Sequence, residues 1–233
     1  MFFVGTSGGP GRGLLAALLL TGVILLGVFL TFWVSRLLSG TLLRGVPSSF
    51  TLELPPYRRP RIGQVVVRSV LDRTLFVLGR AAAVAAPAGL LIWLCANVQV
   101  GGDSILNWCT GFLDPFARLL GLDGVILMAF LLGFPANEIV IPIIIMAYLS
   151  TGSLLEFDSL DALRQLLVDH GWTWLTAVCT MLFSLMHWPC TTTLLTIRKE
   201  SGSFKWTLVS FLVPTVCGIV ICFAFTCVAR MFV

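Results

Sequence analysis

Charged residues are scarce in this chain: they make up 11% of its 233 residues, against 58% hydrophobic residues and a mean hydropathy of +0.99. A soluble domain carries roughly 25% charged residues. The composition therefore excludes an ordinary globular protein and indicates an integral membrane protein. No basic stripe accompanies the small net charge of +4, apart from one loop near Arg58, which argues against a nucleic-acid partner.

The chain also lacks the sequence patterns of enzymes and of small metal or disulfide scaffolds. It contains no HExxH and no GxSxG motif. A P-loop requires a lysine and a preceding strand, and the glycine-rich start of the chain, Gly5 to Gly13, has neither. Six of its seven cysteines lie in or beside apolar stretches and none forms a CxxC pair, which argues against a disulfide framework or structural zinc. We therefore predict that the chain is not an enzyme.

Five apolar segments, each near the ~20 residues that cross a bilayer, predict an all-α polytopic membrane helix bundle. Their approximate bounds are Leu14–Leu38, Thr74–Asn97, Leu122–Ser150, Trp172–Ile197 and Trp206–Phe232. The more mixed stretch Ile105–Leu120 predicts an interfacial helix. We divide the chain into a leader with the first membrane helix (1–39), an Arg-rich polar loop (40–73), a membrane domain with broken helices (74–201) and a final membrane helix (202–233).

Two of the apolar segments are interrupted by proline and polar residues. The third contains Gly133 to Glu138, and Pro135 predicts a helix break near Phe134 because proline lacks an amide donor and disfavours helix before it. The fourth contains His187 to Thr193, with Pro189 at its centre. Paired broken helices in a membrane bundle indicate a binding site near the bilayer midplane, although proline kinks that only shape packing are an alternative.

The side chains at the two breaks suit a divalent transition metal. Cys190, Glu138, Asn137 and His187 offer a thiol, a carboxylate, an amide carbonyl and an imidazole, and Fe, Zn and Cu accept such mixed ligands. We regard these four as candidate metal contacts and Pro135, Pro189 and Thr191 as the residues that shape the breaks.

Each candidate also has a structural interpretation. His187 is equally well explained as a histidine packed beside Trp188, Cys190 as a small residue that allows close approach, and Thr191 as a hydroxyl that bonds back to helix carbonyls. A carboxylate in hydrocarbon requires protonation or a partner. Pairing with an arginine, of which Arg80 is one candidate, would make Glu138 structural.

The charge distribution bears on topology. If every apolar segment crossed the membrane once, the Arg-rich loop 40–73 and the basic residues Arg198, Lys199 and Lys205 would lie on opposite sides. The positive-inside rule is better satisfied if the third segment is a re-entrant hairpin that folds back at Pro135.

Four sequence motifs, in this order, resemble the carboxy-terminal half of the ferrous iron transport protein B (FeoB) family. They are Leu54-Pro55-Pro56-Tyr57-Arg58, then Leu71 to Phe76 with Arg80-Ala81, then Gly133 to Pro142, and finally His187 to Thr193. The likeness extends from about residue 14 to the end of the chain.

The resemblance implies a multi-pass protein of the prokaryotic inner membrane that takes up Fe(II), with metal contact or gating at Pro189-Cys190 and Asn137-Glu138. Family members carry a cytosolic GTPase domain and two inverted gate repeats. This chain would hold only the second gate, as a fragment, a split-gene subunit or an excised domain. Its expected partners are the lipid bilayer and the other half of the transporter, which carries the GTPase and the first gate, in cis or in trans. A homo-oligomer is an alternative assembly that the resemblance does not decide. No cofactor is expected to be permanently bound: Fe(II) is the transported ion, and GTP binds only to the missing domain.

Two other functions compete with this one. A gate protein of the nucleoside-recognition or spore-maturation type shares similar sequence and need not move metal. A purely structural membrane subunit would leave Glu138 and Cys190 dispensable. The Leu54 to Tyr57 loop and the His187 to Cys190 element favour iron transport.

Overall fold

The computed structural model describes residues 10–41, 62–68, 71, 75–149 and 160–232. These residues form a membrane helix bundle, as the sequence predicts. The helices are α1 Pro10–Gly40, α2 Ile62–Arg68, α3 Phe76–Asn97, α4 Ile105–Leu119, α5 Gly124–Leu132, α6 Val140–Tyr148, α7 Leu160–Asp169, α8 Trp174–Met186, α9 Thr191–Ser201 and α10 Phe204–Phe232. The strand content of the described part is one antiparallel pair, β1 (Gln99–Val100) and β2 (Asp103–Ser104).

Three helical stretches of the described chain are long and apolar enough to cross a membrane: Gly13–Gly40, Trp174–Ser201 and Phe204–Met231. The bent pair of α4 and α5, whose axes differ by 108°, adds a fourth if it counts as one span. The stretch predicted to be an interfacial helix is α4, which begins at a capped N-terminus where the Asn107 amide donates to Ser104 Oγ at 3.2 Å. The predicted break of the fourth segment is confirmed between α8 and α9.

The third apolar segment folds back on itself, as the charge distribution favours. Its two helices, α5 and α6, have nine residues each, about 13 Å of helix and so about half of a bilayer core. Asp123 caps α5 by accepting from the Ile126 amide at 2.7 Å, and Tyr148 at the end of α6 donates its hydroxyl to the other Asp123 oxygen. Because the start of α5 meets the end of α6, the segment is a helical hairpin; that this hairpin is re-entrant in the membrane stays a prediction.

A glycine makes the return of the hairpin possible. A Cβ at Gly133 would lie 2.6 Å from Val140 Cγ2 on α6 and 2.9 Å from the Ala129 carbonyl oxygen of α5 itself, so a side chain there would displace Val140 and strain the end of α5. The core of the bundle lies on both sides of this hairpin and includes Phe130, Ile126, Ile143, Ile144, Met146 and Phe183, each at most 2% exposed.

The last helix, α10, runs antiparallel to α8. Near its end, Thr226 Oγ1 lies 3.4 Å from Cys179 Sγ and Cys222 Sγ lies 3.6 Å from the Cys179 carbonyl oxygen. Both thiols are fully buried, and all seven cysteines are free. Cys179 and Cys222 thus act as small residues that let the two helices approach closely.

These contacts place the connections of the bundle at two opposite ends. The end of α6 meets the start of α5 and also the turn before α8, where Trp172 Nε1 donates to the Tyr148 hydroxyl at 2.8 Å. We call this the Tyr148 end. The other end carries the corner between α9 and α10 with Arg198, Lys199 and Lys205, and we call it the basic end.

Several sequence predictions fall outside the described residues. Most of the Arg-rich loop 40–73, with the Leu54 to Arg58 motif, and part of the Leu71 to Phe76 motif belong to this group. Arg80 lies within α3, but its side chain is outside the described part, so its pairing with Glu138 stays a prediction.

Candidate functional site at the paired helix breaks

The first break separates α5 from α6 at the tip of the helical hairpin. α5 ends at Leu132, and a tight turn follows in which the Ala136 amide donates to the Gly133 carbonyl at 3.0 Å. A 3-10 turn, Asn137–Ile139, then leads into α6. Because Pro135 interrupts the helix, the Phe134 carbonyl is released from the pattern of helical hydrogen bonds.

The second break separates α8 from α9. His187 is extended (φ −68°, ψ 173°), and its amide closes α8 by donating to the Phe183 carbonyl at 2.7 Å. Pro189 follows, and Cys190 (φ −62°, ψ 159°) is the N-cap residue of α9. The N-terminus of a second half-helix therefore begins at the cysteine.

The two breaks are joined by hydrogen bonds. Thr191, the first residue of α9, donates both its amide (3.0 Å) and its hydroxyl (3.2 Å) to the Phe134 carbonyl oxygen. The acceptor released at the first break thus satisfies a donor released at the second. Sequence reasoning considered only that Thr191 bonds back across its own break. The partner on another segment, a backbone carbonyl, has no side-chain signature that could have revealed it.

Cys190 is half-buried at the start of α9 and surrounded by hydroxyls. Its Sγ lies 3.0 Å from Thr192 Oγ1 and 3.1 Å from Thr193 Oγ1. Hydroxyl donors and the N-terminal end of a helix both favour negative charge on the sulfur. A thiolate is the form in which cysteine binds metal.

His187 points its ring into the aromatic core. The ring centroid lies 5.1 Å from that of Phe130, and Nδ1 lies 2.8 Å from the Ser184 carbonyl oxygen. A carbonyl only accepts, so Nδ1 carries the proton and Nε2 presents a lone pair. Nε2 is buried, and no described residue forms a hydrogen bond with it; the same holds for Trp188 Nε1 on the next residue.

Asn137 and Glu138 are both exposed on the surface of the chain, at the tip of the hairpin. No described residue forms an ion pair or hydrogen bond with the Glu138 carboxylate. Within the described part of the chain, no three His, Cys, Asp or Glu side chains lie close enough together to hold a metal ion. The four predicted ligands therefore share the region of the breaks without forming a compact cluster of three, and their metal contact stays a prediction.

Sequence reasoning missed a second polar group, the trio Asp123, Tyr148 and Trp172. The Tyr148 hydroxyl donates to Asp123 and accepts from Trp172 Nε1, and the Tyr148 ring stacks on His170 at 4.4 Å. The signal that could have indicated it is Asp123 directly before an apolar run, which is typical of an N-cap.

Comparison with known proteins connects this arrangement to a membrane family. The family model described as Gate: Nucleoside recognition matches residues 78–204, more than half of the chain. A second model, described as Ferrous iron transport protein B C terminus, matches residues 20–72. The first match contains both breaks.

Curated relatives agree with these matches. A protein named Fe(2+) transporter FeoB from Staphylococcus aureus is 30% identical over 227 residues, covering 93% of this chain and 32% of the relative. A protein of that name from Methanocaldococcus jannaschii is 27% identical, covering 80% and 29%. A fusion protein named Fe(2+) transport protein A/Fe(2+) transporter FeoB, from Porphyromonas gingivalis, is 24% identical, covering 84% and 29%. The chain thus spans about a third of the length of these relatives. No solved structure matches.

Proposed function

Because the chain belongs to the Gate family and is similar to the carboxy-terminal membrane region of ferrous iron transport protein B, we propose that it forms part of the pathway by which Fe(II) crosses a prokaryotic inner membrane. The observation that carries the proposal is the pair of hydrogen bonds from Thr191 to the Phe134 carbonyl. They hold two broken helices together at the depth of the membrane where a permeating ion needs protein ligands.

The groups around this joint supply what Fe(II) requires. Cys190 provides a sulfur in surroundings that favour thiolate, and His187 Nε2 provides a buried lone pair with no described hydrogen-bond partner. A thiolate and an imidazole are ligands that bind ferrous iron. An ion that must leave again is served by few ligands rather than a full cage, so the lack of a three-residue cluster in the described chain is compatible with transport.

Glu138 is the group that links this chain to the rest of a transporter. A carboxylate exposed at the tip of a membrane hairpin is costly in hydrocarbon. A surrounding protein surface or a water-filled path removes that cost. We propose that the remaining part of the transporter, which includes the GTPase and the first gate repeat, supplies the surface or path that surrounds the Glu138 carboxylate.

The arrangement of charges supports one orientation in the membrane. With the third segment folded back, the basic end carries Arg198, Lys199 and Lys205 and also the start of α3, which follows the Arg-rich loop. The Tyr148 end carries Asp103, Asp123 and Asp169. By the positive-inside rule the basic end is cytoplasmic and the Tyr148 end faces outward.

The runner-up, a gate protein that does not move metal, is less well supported because the curated relatives are named for Fe(2+) transport. Uptake of radioactive Fe(II) discriminates the two. Cells without their own ferrous transporter would express the chain together with the GTPase-bearing half, as wild type, Cys190→Ser or Glu138→Gln, with Glu200→Gln on exposed α9 as the matched control.

We expect uptake in the wild type and the control and at least a tenfold loss in the two site variants, an effect of about 1.4 kcal/mol or more on the transport barrier. Wild-type uptake by both Cys190→Ser and Glu138→Gln, at equal protein levels, would rule out the proposed pathway residues.

A further inference from the structure

A polar cavity lies away from the helix breaks, at the Tyr148 end of the bundle. It is open to solvent on one side, has a volume of about 150 Å³ and is bordered by the β1–β2 hairpin, the first turn of α4 and the last turn of α6. Its polar lining comes from Gln99, Asp103, Ser104 and Asn107, and its floor from apolar residues that include Leu106 and Met146. None of the lining residues is cationic.

The electrostatics of this cavity favour a cation. Two helices end at its wall: α3 at Asn97, beside the lining residue Ala96, and α6 at Tyr148, beside the lining residue Ala147. Each helix C-terminus carries a partial negative charge of about half an elementary charge. The Asp103 carboxylate adds a full charge to these two.

Two amides at the N-terminus of α4, which would attract an anion instead, already have acceptors. The Ile105 amide donates to the Val98 carbonyl at 3.1 Å, and the Asn107 amide donates to Ser104 Oγ at 3.2 Å. In contrast, no described residue forms a hydrogen bond or ion pair with the side chains of Gln99 or Asp103. The free polar atoms of the cavity therefore include a carboxylate and an amide carbonyl that can face a cation.

We infer that this cavity, which we call the hairpin cavity, is a binding site for a hydrated divalent cation with oxygen ligands. Carboxylate, amide and hydroxyl oxygens suit hard or borderline divalent ions. A volume of 150 Å³ holds an ion with several waters, since each water occupies about 30 Å³. In the orientation proposed above, on which this role rests, the cavity faces outward and collects Fe(II) before it reaches the breaks.

Binding of Mn(II) to the purified full chain in detergent, followed by electron paramagnetic resonance of the free ion, tests the site without requiring transport. We expect Asp103→Asn to weaken Mn(II) binding about tenfold and Gln99→Leu to weaken it about threefold, because ligand charge dominates affinity at oxygen sites. Asp103→Glu should stay within about threefold of wild type. Asp169→Asn, an exposed carboxylate at the same end, should bind as the wild type does.

Wild-type Mn(II) affinity in both Asp103→Asn and Gln99→Leu would overturn the inference, and so would an equal loss in Asp169→Asn. Circular dichroism establishes that each variant is folded.

Measurements of Fe(II) uptake separate this inference from the proposed function. Asp103→Asn should raise the Fe(II) concentration for half-maximal uptake about tenfold and leave the maximal rate unchanged, whereas Cys190→Ser should abolish the rate. If only Cys190→Ser affects uptake and Asp103→Asn binds Mn(II) normally, the proposed pathway is supported and the cation site in the hairpin cavity is ruled out. If Asp103→Asn weakens Mn(II) binding and Cys190→Ser leaves uptake unchanged, the cation site is supported and the proposed pathway is ruled out.

Discussion

Thr191 donates two hydrogen bonds, from its amide and its hydroxyl, to the single carbonyl oxygen of Phe134 on a different membrane segment. Each residue owes its free group to a proline: Pro135 follows Phe134, and Pro189 stands two residues before Thr191. The two breaks therefore satisfy each other, which is the condition under which non-helical backbone persists inside a bilayer. The joint also sets the position of Cys190, the residue immediately before Thr191.

Removing one of these two bonds should weaken the joint. Thr191→Val keeps the shape and the amide bond but loses the hydroxyl, and we expect it to lower the free energy of unfolding by about 0.5–1.5 kcal/mol and to reduce Fe(II) uptake. Thr196→Val on the same helix loses only a bond to its own Thr192 carbonyl and is the control. Thermal unfolding in detergent and uptake should both separate the variants; equal behaviour would mean that the joint contributes nothing measurable.

Closing the gap at Gly133 should separate the halves of the hairpin. The added Cβ in Gly133→Ala meets Val140 Cγ2 at 2.6 Å and the Ala129 carbonyl at 2.9 Å, so we expect a loss of about 1–3 kcal/mol of stability. Gly22→Ala in α1, with no neighbouring atom within 4 Å, should be neutral or slightly stabilising. The double variant Gly133→Ala with Val140→Ala should recover part of the loss, and a fully additive result would contradict the predicted contact.

The trio of Asp123, Tyr148 and Trp172 should hold the open end of the hairpin. Tyr148→Phe removes both hydrogen bonds of the Tyr148 hydroxyl, the one to Asp123 and the one from Trp172 Nε1, and we expect it to cost about 1–3 kcal/mol. Trp172→Phe removes one of the same bonds, so the double variant should cost less than the sum of the two single changes. Unfolding midpoints of the three proteins check this; simple additivity would show that the bonds act independently.

The helix bounds were largely predictable from the sequence because apolar runs and prolines are local signals. The predicted break near Phe134 matches the end of α5 at Leu132, and the interruption between Met186 and Thr191 lies where His187 to Cys190 indicated. The fold-back of the hairpin was predictable only indirectly, from the side on which basic residues should lie. Hydropathy does not distinguish a segment that crosses from one that returns, since both are equally apolar.

The contacts of the site were not predictable in the same way. A backbone carbonyl is not marked by its residue type, so only Pro135 after it indicates that the Phe134 carbonyl is free of the helix. Its hydrogen bonds with Thr191 depend on how two segments 57 residues apart pack. The aromatic packing of His187 agrees with one of its two sequence interpretations, while Nε2, which receives no hydrogen bond from any described residue, leaves ligation open. Both properties arise from tertiary packing that a residue list does not contain.

Membrane orientation gives a further prediction. A cysteine introduced at Asp169, at the Tyr148 end, should react with a membrane-impermeant maleimide in intact cells, and one at Lys199, at the basic end, only after lysis. Both parent residues are exposed, so accessibility within the protein is matched. Lysis-dependent labelling at Asp169→Cys would contradict the re-entrant hairpin and the charge-based orientation together.

The central claim is that Fe(II) meets Cys190 at the joint of the two breaks, and protection of that thiol tests it most directly. Purified chain is alkylated under anaerobic conditions with and without Fe(II), and the rate at each cysteine is read from peptide mass spectra. Exposed Cys227 serves as the internal reference. The account predicts that Fe(II) slows alkylation of Cys190 and leaves Cys227 unchanged, with weaker protection in Glu138→Gln. Equal rates at Cys190 with and without Fe(II) would contradict it.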